Sequence, residues 1–234
     1  MEGHSEAERI KKAYERRDER IPSQLYSFFN PAHSFIVQRR DWEIIRAFKM
    51  CGITTLADKR ILDIGCGTGR ELVNLIRYGA KPENLYGLDL LQGRIDIAKQ
   101  LNPNVDFRCG DAADLPYEDS SFDIVTQFTV FTSIIDTGMK RSIAKEMLRI
   151  LKPDGIVIWY DYHMNNPQNP DVRGIKKREI YELFPDSEIY LKRVTLAPPI
   201  SRVIASFSII LCQVLEKIPL MCTHYLGVIK KVGL

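Results

Sequence analysis

The sequence predicts an α/β fold built on a doubly wound, largely parallel sheet, and three observations carry that reading. Between residues 60 and 162, short apolar runs alternate with single helix-like segments. Such alternation marks parallel strands joined by crossover helices that cover both faces. The first apolar run, Ile61-Leu62-Asp63-Ile64, leads into Gly65-Cys66-Gly67-Thr68-Gly69, three glycines on alternate positions, and then into a helical segment. The next apolar run ends in an acid, Asp89, twenty residues beyond Gly69.

The elements follow in order along the chain. Residues 5–20 carry many charges, with pairs such as Glu8 and Lys12 one turn apart, and predict a solvated helix that ends before Pro22. Tyr26, Phe28 and Phe29 form an aromatic segment broken by Asn30-Pro31, and residues 35–50 approximate helical spacing. Strands are expected at 60–65, 84–90, 105–109, 122–128 and 156–162, and helices at 69–78, 92–101 and 138–151. Gly79 stops the first of these helices, and Lys152-Pro153-Asp154-Gly155 follows the last. After Tyr162 the rhythm changes. An Asn- and Pro-rich loop at 165–170 precedes a short helix at 177–184 and an alternating strand at 188–196. Pro198-Pro199 then breaks the chain, an apolar helix follows, and 224–230 is a last strand.

Composition narrows the class. A chain of 234 residues can bury one sizeable core, and 45% apolar with 27% charged residues is ordinary for a globular protein. A net charge of +3 leaves no footprint for nucleic acid, so no nucleic-acid partner is expected. Five cysteines without a C-x-x-C pair suit a reducing, cytoplasmic setting. The first twenty residues hold no apolar run of the kind a secretory leader needs. The stretch Val203 to Leu215 is uncharged, yet as a helix it would reach only about 20 Å against a bilayer core of roughly 30 Å. No transmembrane segment is expected. Residues 200–218 leave three readings: a core helix, a homodimer contact, or a peripheral helix at a membrane surface flanked by Lys192, Arg193, Arg202, Lys217, Lys230 and Lys231.

The glycine run carries chemistry. Glycine lets a ligand approach the backbone, and an acid ending the next strand accepts from ribose hydroxyls. The spacing is G-x-G-x-G, with Arg70 where the dinucleotide fingerprint has its third glycine. Asp63, two residues before Gly65, would repel a pyrophosphate and suits a ligand bearing an ammonium and a sulfonium.

Here the chain resembles the class I S-adenosylmethionine-dependent methyltransferases, of the bacterial type 11-like kind with small-molecule acceptors. Leu62 to Arg70 is similar to their first motif. Gly110-Asp111-Ala112-Ala113-Asp114-Leu115-Pro116-Tyr117 resembles the segment that reads the adenine, and Ser121-Phe122-Asp123-Ile124-Val125 their fourth strand. Glu146 to Gly155 is similar to the helix and turn before the fifth strand, with Asp154 in place of the commoner glycine. The resemblance implies a Rossmann-like sheet of seven strands, ordered 3-2-1-4-5-7-6 with strand 7 antiparallel. Residues 1–57 would form an N-terminal helical cap, 58–234 the cofactor-binding domain, and 200–218 a helical insertion between strands 6 and 7.

It also implies roles. Gly65, Cys66, Gly67, Gly69 and Arg70 would form the cofactor loop, with Asp63 toward the ammonium group. Asp89 would take the ribose and Leu90 pack on the adenine, with Asp111 and Ala112 at the adenine edge. Gln127 and Phe128 would face the sulfonium and the acceptor, and Arg39 and Arg40 would reach the methionine carboxylate or else lie on a solvated helix face. Asp111 as a turn residue and Gln127 as a core hydrogen-bonder remain open alternatives. The reaction would move a methyl group from S-adenosyl-L-methionine, leaving S-adenosyl-L-homocysteine, to a hydroxyl of a sugar- or lipid-linked small molecule. A hydroxyl acceptor needs a base, and the candidates are Asp161, His163, His33 and Tyr26, with His163 the best placed. The four histidines lack metal-ligand spacing, so no metal is expected. A non-catalytic cofactor sensor and a nicotinamide-dependent oxidoreductase are the competing readings.

Overall fold

The computed structural model of the chain describes residues 5–20, 23–166 and 169–232. Pro22 and the centre of the 165–170 loop lie outside the described residues. Seven strands make one sheet: β1 (Ile61–Ile64), β2 (Leu85–Asp89), β3 (Asp106–Cys109), β4 (Phe122–Phe128), β5 (Leu151–Tyr162), β6 (Ser187–Leu196) and β7 (Cys222–Lys231). Their order is β3-β2-β1-β4-β5-β7-β6. The first five run parallel, and β7 is antiparallel to both β5 and β6. This is the expected order and polarity.

Helices α1 (Glu6–Arg20) and α2 (Pro31–Met50) precede the sheet. The others are α3 (Arg70–Arg77), α4 (Gln92–Leu101), α5 (Thr137–Ile150), α6 (Lys177–Leu183), α7 (Pro198–Ile204) and α8 (Ile209–Glu216). Local chemistry sets their starts. Asn30 Oδ1 accepts from the Ala32 and His33 N–H groups, and Pro31 fills the first turn of α2, where no N–H is needed. Asp136 caps α5 through the Met139 N–H. Every residue of β1 is buried, as befits a central parallel strand covered on both faces. One core holds Leu62, Ile64, Val125, Val157, Trp159 and Ile229; a second holds Ile61, Ile124, Ile158 and Leu226 with Ile44, Ala47 and Phe48 of α2.

Two expectations need correcting. The single apolar helix over 200–218 is two short helices with a corner between them. Ser208 makes that corner: it is extended, at φ −156°, and its Oγ accepts from the Leu211 N–H to start α8. A serine hydroxyl that competes for backbone groups ends a helix that periodicity alone would continue. Helix α1 is not solvated all round. Ile10 is buried and Tyr14 packs with it against the main core.

Candidate functional site

The sheet order reverses between β2-β1 and β4-β5, so the carboxyl ends of β1 and β4 diverge and open a crevice where ligands bind in folds of this kind. Each of the first four strands ends there. Ile64 and Gly65, Asp89 to Leu91, Gly110 to Ala112, and Phe128 to Val130 all line one cleft that holds about 610 Å³ of open space.

Gly65 and Gly67 turn the chain at φ +68° and +55°, in the left-handed region that favours glycine. A Cβ on Gly65 would stand 2.5 Å from Val130 Cγ2. Asp89 then fastens the loop. Its Oδ2 accepts from the Gly67 N–H at 2.9 Å and its Oδ1 from the Leu91 N–H at 2.9 Å. The acid that sequence reading assigned to a ribose therefore also holds the glycine loop and the start of α4 in register. Leu90, Asp111 and Ala112 line the same wall. Asp111 Oδ1 accepts from the Ala113 N–H at 2.9 Å, so it closes a turn while facing the cleft.

Asp63 lies behind the loop, buried, and accepts from the Thr126 hydroxyl at 2.7 Å. Burial pushes its carboxyl well up, and the Thr126 bond only partly opposes that. A cationic ligand group nearby would favour the charged form. Cys66 is buried, with its Sγ 2.8 Å from where a Cβ on Gly87 would sit. Burial raises its thiol further, which suits a packing role. Gly69 ends the loop, and Arg70, at the exposed start of α3, acts electrostatically on His33.

The other expected residues separate. Phe128 faces the cleft, but Gln127 is fully buried. Its Oε1 accepts from the Val130 N–H at 3.1 Å and its Nε2 donates to the Tyr160 carbonyl at 3.5 Å. The structure thus places Gln127 as a core residue that shapes the turn after β4. Arg39 is 2.6 Å from Glu216 of α8. Its neighbour Arg40 is the one directed at the helix that follows the glycine loop: Nη2 donates to Glu71 of α3 at 2.7 Å, and the guanidinium lies 5.4 Å from the Phe128 ring centre. Arg40 Nε is buried without a partner.

The four base candidates also part, and Asp161 is buried, accepting from the Thr132 hydroxyl at 2.6 Å. Tyr160 and Tyr162 share one face of β5, and His224 of β7, opposite Tyr162 in register, stacks on Tyr160 at 4.6 Å and lies tilted against Tyr162 at 3.8 Å. His163 falls on the opposite face. It packs on Tyr225, and its Nε2 is 2.8 Å from the Cys222 carbonyl. A carbonyl only accepts, so that nitrogen carries the proton and is engaged. His33 and Tyr26 come together, rings 5.8 Å apart and edge-on, with Phe28 on the other side of His33. Tyr26 OH accepts from Arg17 at 3.2 Å. His33 stands two turns before Arg40 on α2, so both side chains leave one face. His33 Nε2 is buried without a partner, and burial, then Arg70 and Arg40, hold its pKa below the usual histidine range.

Several lining residues escaped the sequence reading. Ile10 and Tyr14 of α1 close the cleft from above. Tyr14 OH bonds Ser133 Oγ at 2.9 Å, Arg9 donates to the Ser133 carbonyl at 2.6 Å, and Arg94 of α4 sits 4.5 Å over the Tyr14 ring. The spacing of Ile10 and Tyr14, four apart on an otherwise charged helix, was the available signal. Thr129 bends the chain after β4 at φ +59°, held by its N–H to the Tyr160 carbonyl at 2.7 Å. Nothing local marks it.

The residues present suit a nucleoside with a charged amino-acid tail. Two carboxylates, Asp89 and Asp111, stand among apolar Leu90 and Ala112, and Arg40, over the ring of the cleft residue Phe128, holds a buried N–H without a partner.

Comparison with known proteins agrees with that geometry. Residues 62–159 match a family described as a methyltransferase domain. A demethylmenaquinone methyltransferase of Lactobacillus johnsonii is 34% identical over 131 residues, covering 53% of this chain and 51% of that protein. A phthiotriol/phenolphthiotriol dimycocerosates methyltransferase of Mycobacterium ulcerans is 35% identical over 139 residues, covering 57% and 50%. The chain thus spans about half the length of these curated relatives. A solved SAM-dependent methyltransferase of Methanosarcina mazei superposes with a TM-score of 0.58 over 81% of this chain and 97% of that one, at 19% identity, which speaks to the fold.

Proposed function

We propose that this chain, whose residues 62–159 match a methyltransferase domain family, is a class I S-adenosylmethionine-dependent methyltransferase that methylates a small-molecule acceptor. The observation that carries the reading is Asp89, whose carboxylate clamps the glycine loop at the open end of the sheet and faces the cleft beside Asp111. S-adenosylmethionine, when bound, supplies a methyl group already activated by its sulfonium.

The chain's own residues then bind, align and exclude water. Asp89 takes the ribose hydroxyls, Leu90 packs against the base, and Asp111 and Ala112 read its edge. Gly65 and Gly67 admit the amino-acid tail, with Asp63 near its ammonium and Arg40, in preference to Arg39, near its carboxylate. Helix α1, through Ile10 and Tyr14, covers the cleft as part of a cap formed by residues 1–57. Alignment of two reactants can supply on the order of 7–11 kcal/mol of a barrier, so little further chemistry is asked of the protein.

The acceptor that fits best is a hydroxyl of a sugar- or lipid-linked metabolite in the cytoplasm. The two named relatives act, by their names, on demethylmenaquinone and on phthiotriol dimycocerosates. His33 is the base. Its lowered pKa keeps it neutral near pH 7, and its Nε2 has no protein partner to compete with an acceptor proton. Tyr26 and Phe28 hold the ring. His163, engaged with Cys222, is set aside.

The test is transfer of a labelled methyl group from S-adenosylmethionine to a panel of lipid-linked sugars, quinols and free polyols. Label in the acceptor, lost with Asp89→Ala, supports the reading. Cofactor binding with no transfer to any acceptor favours a sensor. Tight binding of NADH that survives S-adenosylhomocysteine favours an oxidoreductase.

A further inference from the structure

The helical pair α7–α8 is apolar on both sides. Its inner side, with Ala205, Cys212 and Leu215, packs on Ala32 and Phe35 of α2 and on Leu196. Its outer side carries Val203 on α7, Phe207 in the corner, Ile210, Leu211 and Val214 on α8, and Leu220 just beyond. These face water. Phe207 is 86% exposed, Leu220 83% and Ile210 74%. A surface helix normally turns polar residues outward, and one apolar all round is buried in protein or in lipid. Among the described residues no helix is long and apolar enough to cross a membrane.

Charge selects the occupant. Residues 197–221 hold three charged side chains, Arg202, Glu216 and Lys217. Glu216 is turned inward, with 8% of its side chain exposed, and pairs with Arg39. Arg202 and Lys217 are exposed. The face offered to solvent is therefore apolar with a cationic border and no carboxylate of its own. An isologous second copy would bring the same cations against each other across the contact. An anionic bilayer complements them, and it accepts protruding side chains without a matching concave surface.

We propose that the outer face of α7–α8 docks on an anionic phospholipid bilayer, with Phe207 and Leu220 inserted among the acyl chains and Arg202 and Lys217 at the headgroups. The placement has a consequence for the site. Helix α7 packs on the start of α2, directly after Phe28 and Phe29, and Phe29 is 98% exposed. Arg202 acts electrostatically on Tyr162, at the carboxyl end of β5. Docking would hold the acceptor side of the molecule against the membrane.

The test is co-sedimentation of the full chain, without cofactor or acceptor, with vesicles of phosphatidylglycerol and phosphatidylcholine and with phosphatidylcholine alone. This readout stands apart from methyl transfer, so either reading can fail alone. Binding is expected on the anionic vesicles, weaker as salt rises, and falling at least about tenfold with Arg202→Glu and Lys217→Glu together. Phe207→Asp with Leu220→Asp should abolish it while the thermal midpoint stays. Should that variant not fold, Phe207→Trp replaces it: a blue-shifted difference emission on anionic vesicles supports insertion. No sedimentation at low salt overturns the proposal. So does a dimer in light scattering that the Phe207→Asp, Leu220→Asp variant dissociates while vesicle binding persists.

Discussion

The two halves of the proposed site are built differently. On the cofactor side, the ligand-facing groups come from the ends of consecutive strands, and one side chain, Asp89, organises two of them through backbone N–H groups. On the proposed acceptor side, the groups come from far apart. His33 and Arg40 leave α2, Phe128 and Tyr160 leave neighbouring strands, and His224 arrives from β7 to pack against Tyr160 and Tyr162. The first half is a backbone device that glycine and one carboxylate specify. The second is a packing device whose members meet only in the folded sheet. Conserving one and varying the other would let a single scaffold serve many acceptors.

The largest effect that separates the halves is expected at His33. His33→Ala should lower kcat roughly a hundredfold on a hydroxyl acceptor, within the usual range for loss of a general base, and leave S-adenosylhomocysteine affinity unchanged. The acid limb of the pH–rate profile, set by a group held below the usual histidine range, should vanish with it. His163→Ala should change neither. Equal losses in the two variants would break the assignment.

On the cofactor side, Gly65→Ala forces a Cβ to 2.5 Å from Val130 at φ +68°. Strain of this kind costs about 1–3 kcal/mol, so cofactor affinity should fall about tenfold or more in calorimetry, with the fold intact by circular dichroism. A smaller effect is expected at the cover. Tyr14→Ala removes the bond to Ser133 and the ring beneath Arg94. One lost hydrogen bond of about 1 kcal/mol implies roughly fivefold weaker cofactor binding. An unchanged affinity would detach α1 from the site.

The smallest effect concerns stability. Asp161, buried under the loop after β4, accepts from the Thr132 hydroxyl at 2.6 Å, yet burial raises its pKa to about 7. Between its ordinary value near 3.8 and about 7, the folded chain keeps a proton that the unfolded chain has released. Its contribution therefore favours folding at the acid end of that window and is lost as pH rises through it. Asp161→Asn should flatten this slope in urea unfolding compared across the window. An unaltered slope would mean that Asp161 is already ionised.

The contrast between the halves also explains what could be read in advance. Asp63, Gly65, Gly67, Asp89 and Asp111 stand on contiguous segments, so spacing alone places them at strand ends. The strand order follows from the family resemblance that those segments carry. Facing is harder. Gln127 and Phe128 end one strand, and only the register of β4 against β5 decides that Phe128 meets the cleft while Gln127 bonds the backbone. Arg39 and Arg40 differ by one helical step of about 100°, which sends one to Glu216 and the other to Glu71. His224 carries no motif; a strand pairing brings it to Tyr162.

The account rests on Asp89 joining the glycine loop to a nucleoside. Isothermal titration of the full chain with S-adenosylhomocysteine, beside Asp89→Ala, tests that join most directly. The account predicts saturable one-to-one binding that weakens at least about tenfold in the variant, since loop register and ribose contacts, each on the order of 1 kcal/mol or more, are lost together. No binding by the wild-type chain, or equal affinity in the two proteins, would contradict it.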